Sequence, residues 1–229
     1  NNSISFNDKD YTSFSGSAGV VWSLNDQHSL AFNYAYSQRA PSASEMFSYG
    51  PHVGSQTYEI GGGFNIDEQN GVYSVNHAPS SLNKEESNNI DLTYRYQNDT
   101  WNATASVFYN QVGDYIFEQS TGLVYAGGEL ITAENYAANV ALNGEYEEET
   151  DGLSVINFEQ QDAKLYGFEA QVDVHMTEAL RWEVFSDYTR AELDEGGTVP
   201  RIPPLRVGSS LHYEQGNWHG EVEVVRNSK

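Results

Sequence analysis

The residues of this chain with the types and spacing to do chemistry are His52 and His77, with Glu45, Glu59, Asp67 and Glu68 close to them in sequence. The chemistry would be metal binding. Zinc takes imidazole and carboxylate when thiolate is unavailable, usually in four-coordinate sites, and the chain has no cysteine. One reading makes His52 and His77 a capture site for Zn²⁺; the other makes them solvent-facing histidines in a Gly/Ser-rich stretch that bind nothing. The acidic run Glu145-Tyr146-Glu147-Glu148-Glu149-Thr150-Asp151 would concentrate cations by its field, although a solvated loop has the same composition. Carboxylates alone favour Ca²⁺ or Mg²⁺ over Zn²⁺. His28 and His175 fall at predicted short turns, and His212 and His219 on the last predicted hairpin; all four read as structural or exposed. No G-x-S-x-G elbow, H-E-x-x-H helix or P-loop is present, and Gly61-Gly62-Gly63 has no helix after it, so the chain reads as a non-enzyme.

The elements that must position these residues are strands. From Ser29 to Ser37 the chain alternates strictly, with Leu30, Phe32, Tyr34 and Tyr36 on one face and Ser29, Ala31, Asn33, Ala35 and Ser37 on the other. It breaks at Arg39-Ala40-Pro41 into a long segment that holds His52. The same period-two pattern recurs in Phe14–Leu24, Ile90–Tyr96, Trp101–Tyr109, Tyr166–Val174, Leu180–Tyr188, from Leu205 and from Trp218. Short polar turns are predicted at Asn25-Asp26-Gln27, Gln97–Thr100, Met176-Thr177-Glu178 and Glu214–Asn217. Residues 38 to about 87 and roughly 118 to 160 are expected to be long loops. Trp22, Trp101, Trp182 and Trp218 fall near the short turns, as an interfacial aromatic girdle would.

Composition narrows the class. Aromatics make up 13% of the chain, with 16 Tyr, yet mean hydropathy is −0.59. So few aliphatics would make a thin water-soluble core, whereas a barrel wall needs only alternate positions apolar. One predicted face carries Asp91, Arg95, Glu169, Asp173, Arg181, Glu183, Asp187, Arg206, Glu221 and Glu223. Charges on every other residue fit neither a sandwich core nor lipid; they need water, a plug or a wide lumen. The net charge of −22 argues against nucleic acid as a partner, since phosphates demand Lys and Arg. No run of 18 apolar residues occurs, so no transmembrane helix is expected, which says nothing against a barrel. The sequence starts and stops mid-pattern, and a fragment of a larger protein is expected.

With these residues in view, the chain resembles the C-terminal part of the barrel of a TonB-dependent outer-membrane receptor. Tyr36-Ser37-Gln38-Arg39-Ala40-Pro41-Ser42-Ala43-Ser44-Glu45-Met46-Phe47 resembles that family's R-x-P-x-x-x-E-L strand-to-loop signature. Leu82-Asn83-Lys84-Glu85-Glu86-Ser87 resembles its L-x-P-E-x-S element, with Asn83-Lys84 where proline is commoner. Phe108-Tyr109-Asn110 with Asp114-Tyr115-Ile116, Tyr166-Gly167-Phe168-Glu169, and Pro200–Gly208 complete the set in the family's order. Gly50-Pro51-His52-Val53 with Thr57-Tyr58-Glu59-Ile60-Gly61 is most similar to the zinc-uptake branch, whose histidine lies on the metal path; Gly54-Ser55 departs from that branch.

The resemblance implies an all-β fold: an antiparallel transmembrane β-barrel wall, about eight strands of a roughly 22-stranded barrel, with long extracellular loops and short periplasmic turns. Residues 1–229 would be one partial barrel domain, the plug domain, TonB box and last strands lying outside it. The implied function is active transport of a scarce nutrient, zinc first, with ferric siderophore or haem behind it. The implied setting is the bacterial outer membrane. Its partners would be outer-membrane lipid, a metal ion or metal chelate, and the TonB energy-coupling complex through the plug; no cofactor is expected. A small closed structural or adhesion barrel is the alternative of another class.

Overall fold

A computed structural model describes residues 10–52, 54–78, 82–144 and 152–228. The acidic run 145–151 and Val53 lie outside the described residues. In chain order the elements are β1 (Ser15–Ser23), β2 (His28–Arg39), α1 (Ala43–Phe47), β3 (Tyr49–His52), β4 (Thr57–Ile60), β5 (Phe64–Gln69) and β6 (Val72–His77). Then come β7 (Glu85–Gln97), β8 (Trp101–Ala126), β9 (Glu129–Thr132), α2 (Ala133–Asn143), β10 (Leu153–His175), β11 (Leu180–Leu193), β12 (Arg206–Gln215) and β13 (Trp218–Asn227).

The chain divides into two compact units. The first comprises residues up to Ser13, Arg39–Glu85 and Asp114–Gln161; the second comprises Phe14–Gln38, Glu86–Gly113 and Asp162–Lys229.

The second unit is a sheet in the order β1-β2-β7-β8-β10-β11-β12-β13. Neighbours are antiparallel: Gln97 N–H reaches Gln27 O at 2.9 Å and His175 N–H reaches Thr100 O at 2.7 Å, so even the pairs joined through long connections run head to tail. Side chains directly opposite share a face. Val20 faces Phe32, Phe168 faces Tyr188 and Val172 faces Val184, making one face apolar. Asp173 opposes Glu183 and Asp187 opposes both Glu169 and Arg206, making the other face charged. The apolar face is bare, with Trp22, Val20, Val222 and Val224 all at least 60% exposed. This matches the alternation predicted from sequence. Among the described residues β1 and β13 are the two ends of the strand order, and the order does not close on itself.

The short turns fold as their residues dictate. Asn25 Oδ1 accepts from Gln27 N and His28 N at 2.9 and 3.0 Å, and Asn98 Oδ1 accepts from Thr100 N and Trp101 N, both at 2.8 Å. Two glycines on the charged face are covered by phenylalanines. A Cβ at Gly167 would lie 1.9 Å from Tyr188 O and 2.9 Å from the Phe108 ring. A Cβ at Gly208 would lie 2.1 Å from the Phe185 ring, over which the Arg206 guanidinium stands at 5.3 Å. An aromatic ring laid over a strand glycine restores the cover that the missing side chain would give.

The first unit corrects the expectation of long loops. Residues 38–87 hold α1 and four strands, β8 runs on to Ala126, and β10 starts at Leu153, with β9 and α2 between them. Local chemistry explains it. Asn70-Gly71, with φ of 55° and 80°, forms a two-residue turn of the primed type between β5 and β6, and Gly127-Gly128, with φ of 61° and 82°, does the same between β8 and β9. Thr132 caps α2, its Oγ1 accepting from Asn135 N at 3.1 Å. β3 pairs with β4, β4 pairs in parallel with the start of β10, and β9 pairs with β8. Tyr58, Ile60, Val155, Leu123 and Leu130 form a buried cluster with Phe64, and Ile66, Tyr73 and Val75 of the β5–β6 hairpin close over it.

The glycine triplet seats this unit on α1. Gly61, Gly62 and Gly63 donate their N–H groups to Ser48 O, Glu45 O and Met46 O at 2.7, 2.8 and 2.9 Å, satisfying carbonyls that the short helix leaves unpaired. A Cβ at Gly61 would lie 2.5 Å from the Met46 carbonyl. We expect Gly61→Ala to destabilise the first unit by about 1–3 kcal/mol, the usual cost of overpacking. Limited proteolysis of the intact protein should then cut between residues 40 and 85, with the second unit still protected.

Candidate functional site

The first unit is anchored by Arg39 at the end of β2. Its Nε donates to Glu85 Oε2 at 2.5 Å and its Nη1 to Glu45 Oε2 at 2.9 Å. Glu45 also accepts from Ser42 N at 2.7 Å, and Ser42 Oγ accepts from Glu45 N, forming a capping box on α1. Glu85, 8% exposed, uses its other oxygen to accept from Ile116 N at 2.8 Å. One guanidinium therefore joins the end of β2, the start of β7 and α1. The hydrogen bonds it donates to Glu85 and then to Glu45 hold Arg39 well above the ordinary guanidinium value. Burial works to raise the Glu45 carboxyl, but the bonds from Arg39 and Ser42 outweigh it and hold it below its ordinary value. The R-x-P-x-x-x-E signature and the glutamate of the Leu82–Ser87 element are thus two halves of one ion-pair network.

His52 ends β3, opposite Thr57. Its Nδ1 lies 2.7 Å from Ser55 Oγ and 3.2 Å from Glu59 Oε1. The Glu59 side chain is 14% exposed, the His52 side chain 59%. Both contacts fall on Nδ1, one from a hydroxyl and one from a carboxylate. Contacts from a carboxylate and a hydroxyl on one ring nitrogen resemble the surroundings found behind metal-binding histidines.

The other residues singled out from sequence fall elsewhere. His77 ends β6 opposite Phe64, its ring edge-on to that of Phe64 at 6.4 Å. Asp67 accepts from Asn76 Nδ2 at 2.8 Å, Glu68 accepts from Gly71 N at 2.7 Å, and Glu45 belongs to the Arg39 network. The structure thus joins His52 to Glu59 and distributes the remaining four among separate local contacts. Among the described residues, no group of three or more His, Cys, Asp or Glu is arranged to hold a metal ion.

In the second unit, Arg181 pairs with Asp173 and, at 3.0 Å, with Glu183, and Arg206 pairs with Asp187 at 2.6 Å. His212, expected to be structural or exposed, stands 3.9 Å from Glu183 and 3.7 Å from Glu221 on the charged face. Its place in the period-two pattern was the signal. His28 Nδ1 meets Tyr94 Oη at 2.6 Å, and its ring packs against Tyr96, which packs against Trp101; the cluster lies beside the short turns.

A sheet with one bare apolar face, one charged face and aromatic residues beside its short turns is the wall of a membrane-spanning β-barrel. The chain belongs to the family described as TonB dependent receptor-like, beta-barrel, which it matches over residues 1–229. It is accordingly a partial barrel of the bacterial outer membrane.

Three solved structures share the fold. The copper transporter OprC is 21% identical, with a TM-score of 0.62 over 91% of this chain and 25% of that one. The siderophore receptor PirA from Pseudomonas aeruginosa is 16% identical, with a TM-score of 0.55 over 92% of this chain and 33% of that one. The PirA receptor from Acinetobacter baumannii is 19% identical, with a TM-score of 0.55 over 89% and 27%. The chain therefore spans a third or less of these relatives.

Protonation of Glu45 should loosen the Arg39 network. Its folded value is the lower one, so its stabilisation is complete above the ordinary carboxylate range and disappears as the pH falls through the lowered value. We expect protease protection of residues 40–85 to hold from pH 7 to about 5 and to fall below about 4. Glu45→Gln should show reduced protection already at pH 7 and a weaker acid response.

Proposed function

We propose that this chain is part of an energised uptake receptor of the outer membrane, whose cargo is a metal ion and in the first instance zinc. In this reading the apolar face of the second unit meets lipid, the charged face lines a water-filled or plugged interior, and a plug domain outside this sequence couples transport to the TonB complex. The observation that carries the metal assignment is His52, an exposed imidazole whose Nδ1 lies against Glu59 and Ser55; in this reading Nε2 is the nitrogen that meets the metal. Zinc suits imidazole in a site without thiolate. The first unit, formed mainly from the long connections, would face the cell exterior and present His52 there. His77 is proposed as a weaker second donor.

A second reading, uptake of a metal already held by a chelator, is favoured by the same geometry. A lone oriented imidazole fills one coordination position and leaves the others to ligands that the cargo or the plug supplies. The two readings separate by experiment. His52→Ala in the intact protein should weaken zinc binding, measured by competition with a chromogenic chelator, by at least tenfold. It should also slow growth under zinc limitation. Glu59→Gln, which keeps the ring but loses its charged acceptor, should cost about 10-fold, as other outer-shell partners do. Unchanged zinc affinity and unchanged growth under zinc limitation in His52→Ala would remove His52 from the metal site. Lost uptake of a metal chelate in the same variant would establish the second reading.

A further inference from the structure

The surroundings of His52 bear on the form in which a metal cargo meets it. Opposite residues of the β3–β4 pair share a face, so Gly50, His52, Thr57 and Glu59 lie on one side and Tyr49, Tyr58 and Ile60 on the other. On its own side His52 stands between two residues that lack side chains. Gly50 precedes it by one step on the same face, and a Cβ there would meet nothing within 4 Å. Gly54 follows it in the turn before β4, and a Cβ there would lie 3.5 Å from His52 Cε1 and 4.0 Å from Nε2. Glu59 and Ser55 are both drawn to Nδ1. The flank of the ring beside Cε1 and Nε2 is left open at position 54.

The fold does not require glycine at position 54. Its backbone is not left-handed, and apart from its chain neighbours an added Cβ would touch only the His52 ring. A side chain there would take up the space beside Nε2. A metal bound to imidazole lies about 2.0–2.1 Å from the nitrogen, so its other ligands on this flank come against position 54. Water ligands rearrange around a methyl group, whereas the fixed arms of a chelator do not. Protein donors for those other positions are not gathered here, since among the described residues no group of three or more His, Cys, Asp or Glu is arranged to hold a metal ion. Four-coordinate zinc with one imidazole has three positions left, the number a tridentate chelator fills.

We propose that Gly54 is the specificity-determining residue of the His52 site, fitting it to a metal that arrives in a small tridentate chelator and leaves its last coordination position to Nε2. The inference rests on the reading of His52 as the metal's donor and names the form of cargo that position 54 admits. The His52 side chain is 59% exposed, so the chelate approaches Nε2 from solvent.

The test is calorimetric titration of the intact detergent-solubilised protein with zinc chloride and, at the same ionic strength, with the neutral one-to-one complex of zinc and iminodiacetate. For each probe the binding that counts is the part lost in His52→Ala. Gly54→Val should weaken binding of the complex by about 10–100-fold, as overpacking of a fitted contact does, and Gly54→Ala by about 3–10-fold. Bare zinc should change by less than about 3-fold in both variants. Gly54→Ala, which adds one carbon in open space, carries the comparison if the valine variant loses protease protection of residues 40–85. Equal losses for the two probes, or unchanged affinity for the complex in both variants, would overturn the role of Gly54 and leave His52 as a donor. Unchanged binding of both probes in His52→Ala would overturn the donor reading and the proposal with it.

Discussion

A sheet facing hydrocarbon has no solvent on that side to satisfy its backbone, so every strand must find its hydrogen bonds in its neighbours. The second unit is built around that requirement. Its eight strands pair continuously from β1 to β13, and the two-residue side-chain period then assigns every side chain to one of two environments. Apolar residues left exposed along the whole sheet would be an aggregation hazard in water; against lipid they are the solvated face. The charged face is kept workable by local pairing, Arg181 with Asp173 and Glu183, and Arg206 with Asp187.

The first unit obeys the opposite rule. Its buried residues, Ile60 and Val155 at 0% exposure among them, gather under a hairpin as in a small water-soluble domain. Two devices hold it together: the Arg39 guanidinium shared by Glu45 and Glu85, and the glycine triplet whose N–H groups cap α1. The face carrying His52 and the face carrying the tyrosines are opposite sides of this one scaffold.

The strands of the second unit were legible because alternation is a strong signal wherever two environments differ sharply, and the turn residues Asn25 and Asn98 mark where each hairpin reverses. The family signatures pointed correctly to Arg39, Glu45 and Glu85 without showing that the three meet. The first unit was hidden for a physical reason. The strands it does not share with the second unit are four to six residues long, too short for a period to register against scattered aromatics, and its order comes from tertiary contact. Two local signals were present nonetheless: Asn70-Gly71 between Phe64-Asn65-Ile66 and Tyr73-Ser74-Val75, and Thr132 ahead of a helix-forming run. Of the candidate ligands, His52 and Glu59 come together because β3 and β4 pair, a register that sequence spacing suggested but could not fix. His77 lies on a different hairpin.

The uniform antiparallel pairing has a further consequence, one of parity. With eight strands in alternation, β1 and β13 run in opposite directions, so the two free edges already match for antiparallel closure. Any strands interposed between those edges must come in an even number; a single extra strand would force a parallel pair and, with it, a connection crossing from one rim to the other. The wall can therefore lengthen only by whole hairpins, and each added hairpin brings one short turn and one long connection. Growth in circumference and growth of the surface built from the long connections are thereby tied to the same step.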